Sequence, residues 1–132
     1  MISVDIRSRT PIYEQIIQSI KELVVKGIME PGEKLPSVRE LAKDMTLNPN
    51  TVQKAYQELE RQGLIVTFRG KGTFVNLEIE MGQEKERVKR LKDEMKKLMI
   101  EAKTLGMEKE EVVKIVKEVL EELEGGESDV KS

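Results

Sequence analysis

The fold is decided by residues 37–75, which read SVRELAKDMTLNPNTVQKAYQELERQGLIVTFRGKGTFV. Ser37 and Glu40 lie three residues apart before an apolar periodic run, which is the capping-box pattern that begins a helix. Asn48-Pro49 places a typical N-cap residue before a proline suited to the first helical turn. A further helix is predicted to begin there and to end at Gly63. Two short helices separated by a turn therefore fill the first part of this stretch.

The remainder of the stretch has strand character. Residues 64–68 and 73–75 are rich in β-branched and aromatic side chains, and Arg69-Gly70-Lys71-Gly72 joins them. A short glycine-containing connection between two such runs indicates a β-hairpin. The hairpin tip carries two cations.

Upstream, apolar residues recur at helical spacing from Ile12 to Val24. Thr10 suits the N-cap of this helix, Pro11 its first turn, and Gly27 its C-terminal end. Three helices followed at once by a basic hairpin are the pattern of a winged helix-turn-helix. The predicted fold class is therefore mainly α with a small β-hairpin, with the winged helix-turn-helix over residues 1–76.

Beyond this domain the composition shifts to Glu, Lys, Met and Leu, which favours two helices with a break at Gly106. The first has an a/d heptad seam, the pattern of a helix that packs along another helix. The seam consists of Val88, Leu91, Met95, Leu98, Ala102 and Leu105, and Val116 and Leu120 are among the apolar residues of the second helix. Residues 77–124 are predicted to be helical, and the polar residues 125–132 to be a disordered tail.

Two interpretations of the seam are open. It could pack on the winged domain of the same chain, or it could pair with the same helices of a second copy. Two helices alone form no core, and both carry long apolar stripes, so the second interpretation is favoured. We therefore predict a homodimer in which these two helices are the dimerisation segment.

Composition narrows the function. The chain has 132 residues with no Cys and no His, so thiolate and imidazole ligands, Cys nucleophiles and His bases are all excluded. No metal or other cofactor is expected, and an enzyme is the weakest class. The net charge of −2 conceals a net charge of +2 over residues 1–76 and of −4 over residues 77–132. Apolar runs are too short for a membrane span and no secretory signal is apparent, so the expected location is the cytoplasm.

The outward face of the third helix carries hydrogen-bonding side chains near its N-terminus, as a helix that reads bases in the major groove requires. They are Asn50, Thr51, Gln53 and Lys54, with Gln57 further along the same face. Arg39, in the first turn of the second helix, is placed to reach a base or a phosphate. At the hairpin tip Arg69 and Lys71 supply charge, and Gly70 allows close backbone approach to DNA. The predicted partner is double-stranded DNA.

Ordered motifs run without gaps from about residue 10 to residue 76. They are PIYEQI at 11–16, GEKLPSVRELA at 32–42, NPNTVQKAY at 48–56, LE at 59–60, GLI at 63–65 and RGKGTFV at 69–75. Together they closely resemble the DNA-binding domain of GntR-family bacterial transcription regulators. The short two-helix extension resembles the YtrA-like branch, whose members are small dimeric repressors.

The resemblance implies DNA contacts from six residues. They are Arg39, Asn48, Asn50, Gln53, Arg69 and Gly70. Pro49 departs from relatives that have a basic side chain there, and because proline cannot donate a hydrogen bond, the base preference should differ. The expected function is a sequence-specific repressor that binds an inverted-repeat operator as a homodimer.

Two points stay open at the level of sequence. A winged-helix adaptor for protein contacts, with only weak DNA binding, is the alternative function. A small-molecule effector is a further open partner. The extension is too thin for a ligand pocket of several hundred Å³ inside one subunit, so any effector site is expected at the dimer interface or at the domain junction.

Overall fold

The computed structural model of the chain describes residues 2–76 and 84–131, with side chains over 2–76 and 85–124. The chain divides into two units, residues 1–79 and 80–132. The predicted boundary after residue 76 adjoins residues 77–83, which lie outside the described residues.

Three helices and a two-stranded sheet form the first unit. The helices are α1 (Ile12–Val25), α2 (Val38–Met45) and α3 (Pro49–Arg61), and the strands are β1 (Ile65–Phe68) and β2 (Gly72–Val75). The strands pair antiparallel around the four-residue tip predicted from sequence. The mainly helical fold with a small hairpin is confirmed.

The predicted caps of α2 and α3 are present. The Glu40 amide donates to Ser37 Oγ at 3.0 Å, and the Ser37 amide donates to the Glu40 carboxylate at 3.1 Å, which completes the capping box. Asn48 Oδ1 accepts a hydrogen bond from the Asn50 amide at 2.8 Å, with Pro49 as the first helical residue. These bonds satisfy amide groups that would otherwise lack helical partners, and so fix where both helices begin.

The start of α1 differs from the prediction. Pro11, rather than Thr10, is the N-cap residue, and no side chain caps this helix. The amide of Thr10 donates to Ser8 Oγ at 3.1 Å, and its carbonyl accepts from Gln15 Nε2 at 2.8 Å. Thr10 is therefore held by the loop before the helix, and this loop geometry overrides its local preference for the cap.

A compact aliphatic core holds the first unit together. Ile16 and Ile20 from α1, Val52 and Leu59 from α3, and Ile65 from β1 are the largest fully buried side chains. They recur at the apolar spacing that makes one face of each helix hydrophobic. Because α1 and β1 both pack on α3, its opposite face is left to solvent.

A third extended segment joins the hairpin, which the sequence analysis did not predict. The Leu35 amide donates to the Thr73 carbonyl at 2.8 Å, and the Val75 amide donates to the Glu33 carbonyl at 2.8 Å. Lys34 and Phe74 form a single antiparallel bridge. This short segment has no alternating pattern of its own, so only its tertiary pairing identifies it.

Tyr56 ties α3 to the loop before α2. Its side chain is only 4% exposed, and its hydroxyl donates to the Pro36 carbonyl at 2.7 Å. Burial raises the pKa of the Tyr56 phenol above its ordinary value. The phenol therefore acts as a neutral hydrogen-bond donor.

Replacing Tyr56 with Phe is expected to lower the free energy of unfolding by about 1 kcal/mol, because the half-buried Pro36 carbonyl loses its partner. Tyr13→Phe is the matched control, since the Tyr13 hydroxyl bonds only the exposed Glu14 side chain, at 3.3 Å. Urea unfolding at one fixed protein concentration measures both variants. Equal losses of unfolding free energy in the two variants would contradict a stabilising role for the Tyr56–Pro36 hydrogen bond.

The second unit consists of α4 (Glu84–Thr104) and α5 (Lys109–Lys131). Gly106, at φ +79°, lies in the turn between them, so the predicted break is confirmed. Nowhere in residues 2–76 and 84–131 is a helix long and apolar enough to cross a membrane.

Helix α5 extends beyond residue 124, where the predicted helical segment ends. It continues through Gly125 and Gly126 to Lys131, in the stretch for which the sequence predicts a disordered tail, and Ser132 lies outside the described residues. Glycine costs about 1 kcal/mol relative to alanine in a helix, but it still forms the helical backbone hydrogen bonds. Two glycines therefore weaken this helix without ending it.

Candidate nucleic-acid interface

The outward face of α3 brings together most of the side chains predicted to read DNA. Asn50, Gln53, Lys54 and Gln57 are exposed, whereas Val52, Ala55, Tyr56 and Leu59 are buried. The separation follows from the 3.6-residue period, since packing on α1 and α2 uses the apolar positions. Carboxamides can donate to and accept from the same base edge, so Asn50 and Gln53 offer bidentate contacts of the kind that adenine accepts.

Two predicted contacts are more restricted than the sequence indicated. Asn48 already uses its Oδ1 atom to cap α3, which leaves its side-chain NH₂ group as the donor that can face DNA. Thr51 is half-buried. Both residues lie at the start of the helix, but Asn48 has its carboxamide oxygen already engaged and Thr51 is less exposed than Gln53.

Lys54 is held against α1 by an aromatic ring. Its Nζ lies 3.9 Å from the centroid of the Tyr13 ring, a cation–π contact between α1 and α3. The neighbouring Glu14 carboxylate raises the pKa of the Tyr13 phenol, so the ring stays neutral beneath the ammonium. Sequence reasoning did not connect Tyr13 with this site, because 41 residues separate it from Lys54 and only the helix packing brings them together.

Arg61 is already paired at the C-terminal end of the same face. Its Nε donates to Glu58 Oε2 at 2.7 Å. That hydrogen bond lowers the pKa of the Glu58 carboxyl to about 2. The cation is thereby neutralised locally, so the part of α3 suited to DNA extends from Asn50 to Gln57.

Arg39 lies exposed in the first turn of α2. Its neighbour Glu40 cannot readily neutralise it, because the Glu40 carboxylate accepts the Ser37 amide, and this bond lowers the pKa of Glu40. Within the described ranges Arg39 forms no ion pair. Its guanidinium is therefore available for a base or a phosphate.

The hairpin presents its predicted basic tip to solvent. Arg69, Gly70 and Lys71 are all exposed, and the Lys71 amide closes the turn on the Phe68 carbonyl at 2.9 Å. Gly70 has φ +82°, in the left-handed region that favours glycine. The tip thus combines two cations with a backbone that can approach DNA closely.

Lys34 is a cation near the hairpin that the sequence analysis missed. A Cβ atom built at Gly72 would lie 2.8 Å from Lys34 Cε, and Gly72 itself has φ +123°. Glycine at position 72 therefore lets the Lys34 side chain lie across the strand. The strand bridge between Lys34 and Phe74 brings this lysine to the hairpin. No local sequence pattern predicts that bridge.

The second unit exposes six of the eight predicted dimerisation residues. Leu91, Leu98 and Leu105 are 59%, 61% and 73% exposed, which is unusual for leucines at heptad spacing. Val88, Met95 and Leu120 are also exposed, while Ala102 and Val116 are half-buried. Ile100 is a further exposed apolar residue of α4, but it lies outside the seam.

An apolar groove runs between α4 and α5. It encloses about 450 Å³, and its lining includes Met95, Leu98, Ala102, Leu105, Val116 and Leu120. Six of the predicted dimerisation residues thus face one open concave surface. An exposed apolar surface of this kind marks an interaction site.

Comparisons with known proteins agree with this geometry. Residues 12–75 match the family of bacterial regulatory proteins termed the gntR family. The chain is 50% identical to the HTH-type transcriptional repressor YtrA of Bacillus subtilis (strain 168), over 96% of this chain and 97% of that protein.

Solved structures also resemble the whole chain. A protein described as a transcriptional antiterminator from Listeria monocytogenes EGD-e superposes with a TM-score of 0.88 at 42% identity, covering 95% of this chain and 93% of that one. YtrA from Sulfolobus acidocaldarius, a GntR-family transcription factor, gives a TM-score of 0.57 at 36% identity, covering 92% and 97%. The similarity therefore extends beyond the winged unit into the helical one.

Proposed function

Because the chain belongs to the gntR family of bacterial regulatory proteins, in its YtrA-like branch, we propose that it represses transcription by binding an inverted-repeat operator as a homodimer. Members of this family are DNA-binding regulators rather than enzymes. The observation that carries the proposal is the outward carboxamide face of α3, which begins at a capped N-terminus and lies beside a basic hairpin.

Base reading is assigned to the N-terminal half of α3. Asn50 and Gln53 enter the major groove and contact base edges, while Arg39 contacts the flank of the same groove. Lys71 and Arg69 at the hairpin tip neutralise phosphates, with Gly70 close to the sugar-phosphate chain. Specificity thus resides in α3, and a large share of the affinity in the phosphate contacts.

The groove between α4 and α5 is assigned to a second copy of the chain. Leucines left largely exposed in one chain lose contact with water when two such helix pairs pack together, at about 25 cal/mol per Å² of apolar surface buried. A C2 dimer buries the same surface on both copies and relates the two winged units by a two-fold axis. An inverted-repeat operator has the same symmetry.

The adaptor alternative has less support. A protein-binding module needs neither outward carboxamides at a capped helix start nor exposed arginine and lysine around a glycine. Acting on chromosomal DNA also fits a cytoplasmic location, which we include in the proposal.

Selection of binding sites from a randomised DNA duplex library tests the proposal. The expected result is enrichment of two half-sites in inverted orientation, whose centres lie about one helical turn, or a multiple of it, apart. An adaptor would enrich nothing. A single half-site without symmetry would contradict the dimeric reading of DNA.

Lys71 offers a point charge at the hairpin tip, so Lys71→Ala is expected to weaken binding similarly on operator and on random duplex. The slope of log affinity against log salt should fall by about one per half-site, or about two per dimer. Lys26→Ala, at the C-terminal end of α1, is the control for loss of one positive charge. Relaxed sequence preference in Lys71→Ala would overturn this assignment.

A further inference from the structure

The segment before α1 is held in one conformation by the Gln15 side chain. Gln15 Oε1 accepts from the Asp5 amide at 2.6 Å, and its Nε2 donates to the carbonyls of Asp5 at 3.0 Å and Thr10 at 2.8 Å. Three hydrogen bonds from one side chain therefore join both ends of residues 5–10. We call this segment the N-terminal loop.

Bonds within the N-terminal loop fix its interior as well. The Arg7 amide donates to Asp5 Oδ1 at 2.9 Å, and the Ser8 amide donates to the Asp5 carbonyl at 3.1 Å. The Asp5 carboxylate is thus engaged by backbone, not by a guanidinium. Arg7 and Arg9 are exposed, and neither forms an ion pair with another residue of the described part of the chain.

The N-terminal loop lies at the end of α1 that also contacts Lys54, on the outward face of α3. The ring of Tyr13, in the first turn of α1, contacts Lys54 Nζ. Four residues of chain separate Arg9 from Tyr13, a distance of at most about 14 Å. Measured along the DNA helix axis, at a rise of about 3.4 Å per nucleotide of one strand, that length spans about four base-pair steps.

We propose that Arg7 and Arg9 of the N-terminal loop contact the DNA backbone beside the groove that α3 enters, so that the loop and Lys54 form a flanking phosphate-contact surface. The inference rests on the proposed function and adds residues that the family resemblance does not assign. Guanidinium groups bind phosphate oxygens through paired N–H donors, and a loop already ordered by Gln15 loses little freedom on binding. Phosphate is the complementary charge, since Arg7, Arg9 and Lys54 are all cationic.

These phosphate contacts are expected to add affinity for DNA but no sequence specificity. Two additional phosphate contacts per protomer correspond to a slope of about −2 in log affinity against log salt, and to about −4 for a dimer. Because phosphates are the same in every sequence, the loss on removing them should be equal on operator and on random DNA.

The test compares Arg7→Gln/Arg9→Gln with the wild type on the selected operator and on a scrambled duplex of equal length, over a salt series. The magnitude of the slope is expected to fall by about two per protomer, with the operator preference unchanged. Arg7→Lys/Arg9→Lys keeps the charge and should retain the wild-type slope, which separates charge from folding. Lys21→Gln/Lys26→Gln removes two cations further along α1 and should leave the slope near that of the wild type.

Two results would overturn the inference. If the wild type binds the operator specifically while Arg7→Gln/Arg9→Gln keeps its slope, or changes it no more than Lys21→Gln/Lys26→Gln does, the N-terminal loop makes no phosphate contact and the proposed function stands. If the wild type shows no preference for any duplex, the proposed function fails, and this inference fails with it.

Discussion

Lysine at both Leu91 and Leu98 is expected to convert the proposed dimer into a monomer. Both leucines lie on the seam of α4 and are largely exposed in the single chain, so in the proposed dimer they would supply apolar burial. The double variant would bring four ammonium groups into the shared interface, and burying unpaired charge costs several kcal/mol each even after relaxation. Sedimentation velocity at micromolar protein should show the monomer mass.

The same variant should lose operator affinity by about 100-fold or more, because binding of the second half-site is no longer intramolecular. Ile100→Lys is the matched control: it adds a lysine to α4 at an exposed apolar position two residues beyond Leu98, on the opposite side of the helix from the seam. It should leave the dimer intact. A wild type that is monomeric at micromolar concentration and still binds the operator tightly would refute the dimer.

Gln53→Ala is expected to cost about 1–3 kcal/mol on the operator, or about 5-fold to 150-fold in affinity, and little on random duplex. The reason is that Gln53 is exposed on α3, and its carboxamide has the donor and the acceptor that the proposed base reading requires. Binding curves on both duplexes measure the difference.

Thr104→Ala is the control, since Thr104 is an exposed, uncharged residue of α4 that lies outside the winged unit and off the seam. It should change neither affinity nor preference. If Gln53→Ala altered only the salt dependence while Lys71→Ala relaxed the sequence preference, the division between base reading and phosphate contact would be reversed.

Residue types at helix ends were sufficient to predict where several helices begin or end. The capping box of Ser37 and Glu40, the Asn48-Pro49 helix start and the turn at Gly106 all formed where the sequence placed them. In each case the signal is a residue type whose side chain or backbone satisfies an adjacent helix end. The outward face of α3 followed from its period alone.

The features that sequence missed depend on contacts between distant segments. Gln15 determines the start of α1 by binding a loop that precedes it, and Tyr13 holds Lys54 across a helix interface. Lys34 reaches the hairpin only through strand pairing. Propensity and periodicity carry no information about such contacts, which depend on the tertiary arrangement of the segments.

The most direct test of the central claim, that two copies read two half-sites, is to insert five base pairs between the half-sites of the selected operator. Half a helical turn moves one half-site to the opposite face of the duplex, where a rigid C2 dimer cannot reach it. The account predicts two protomers bound to the original operator, and affinity for the lengthened duplex reduced to that of a single half-site. Unchanged affinity, or saturation of the original operator by one protomer, would contradict it.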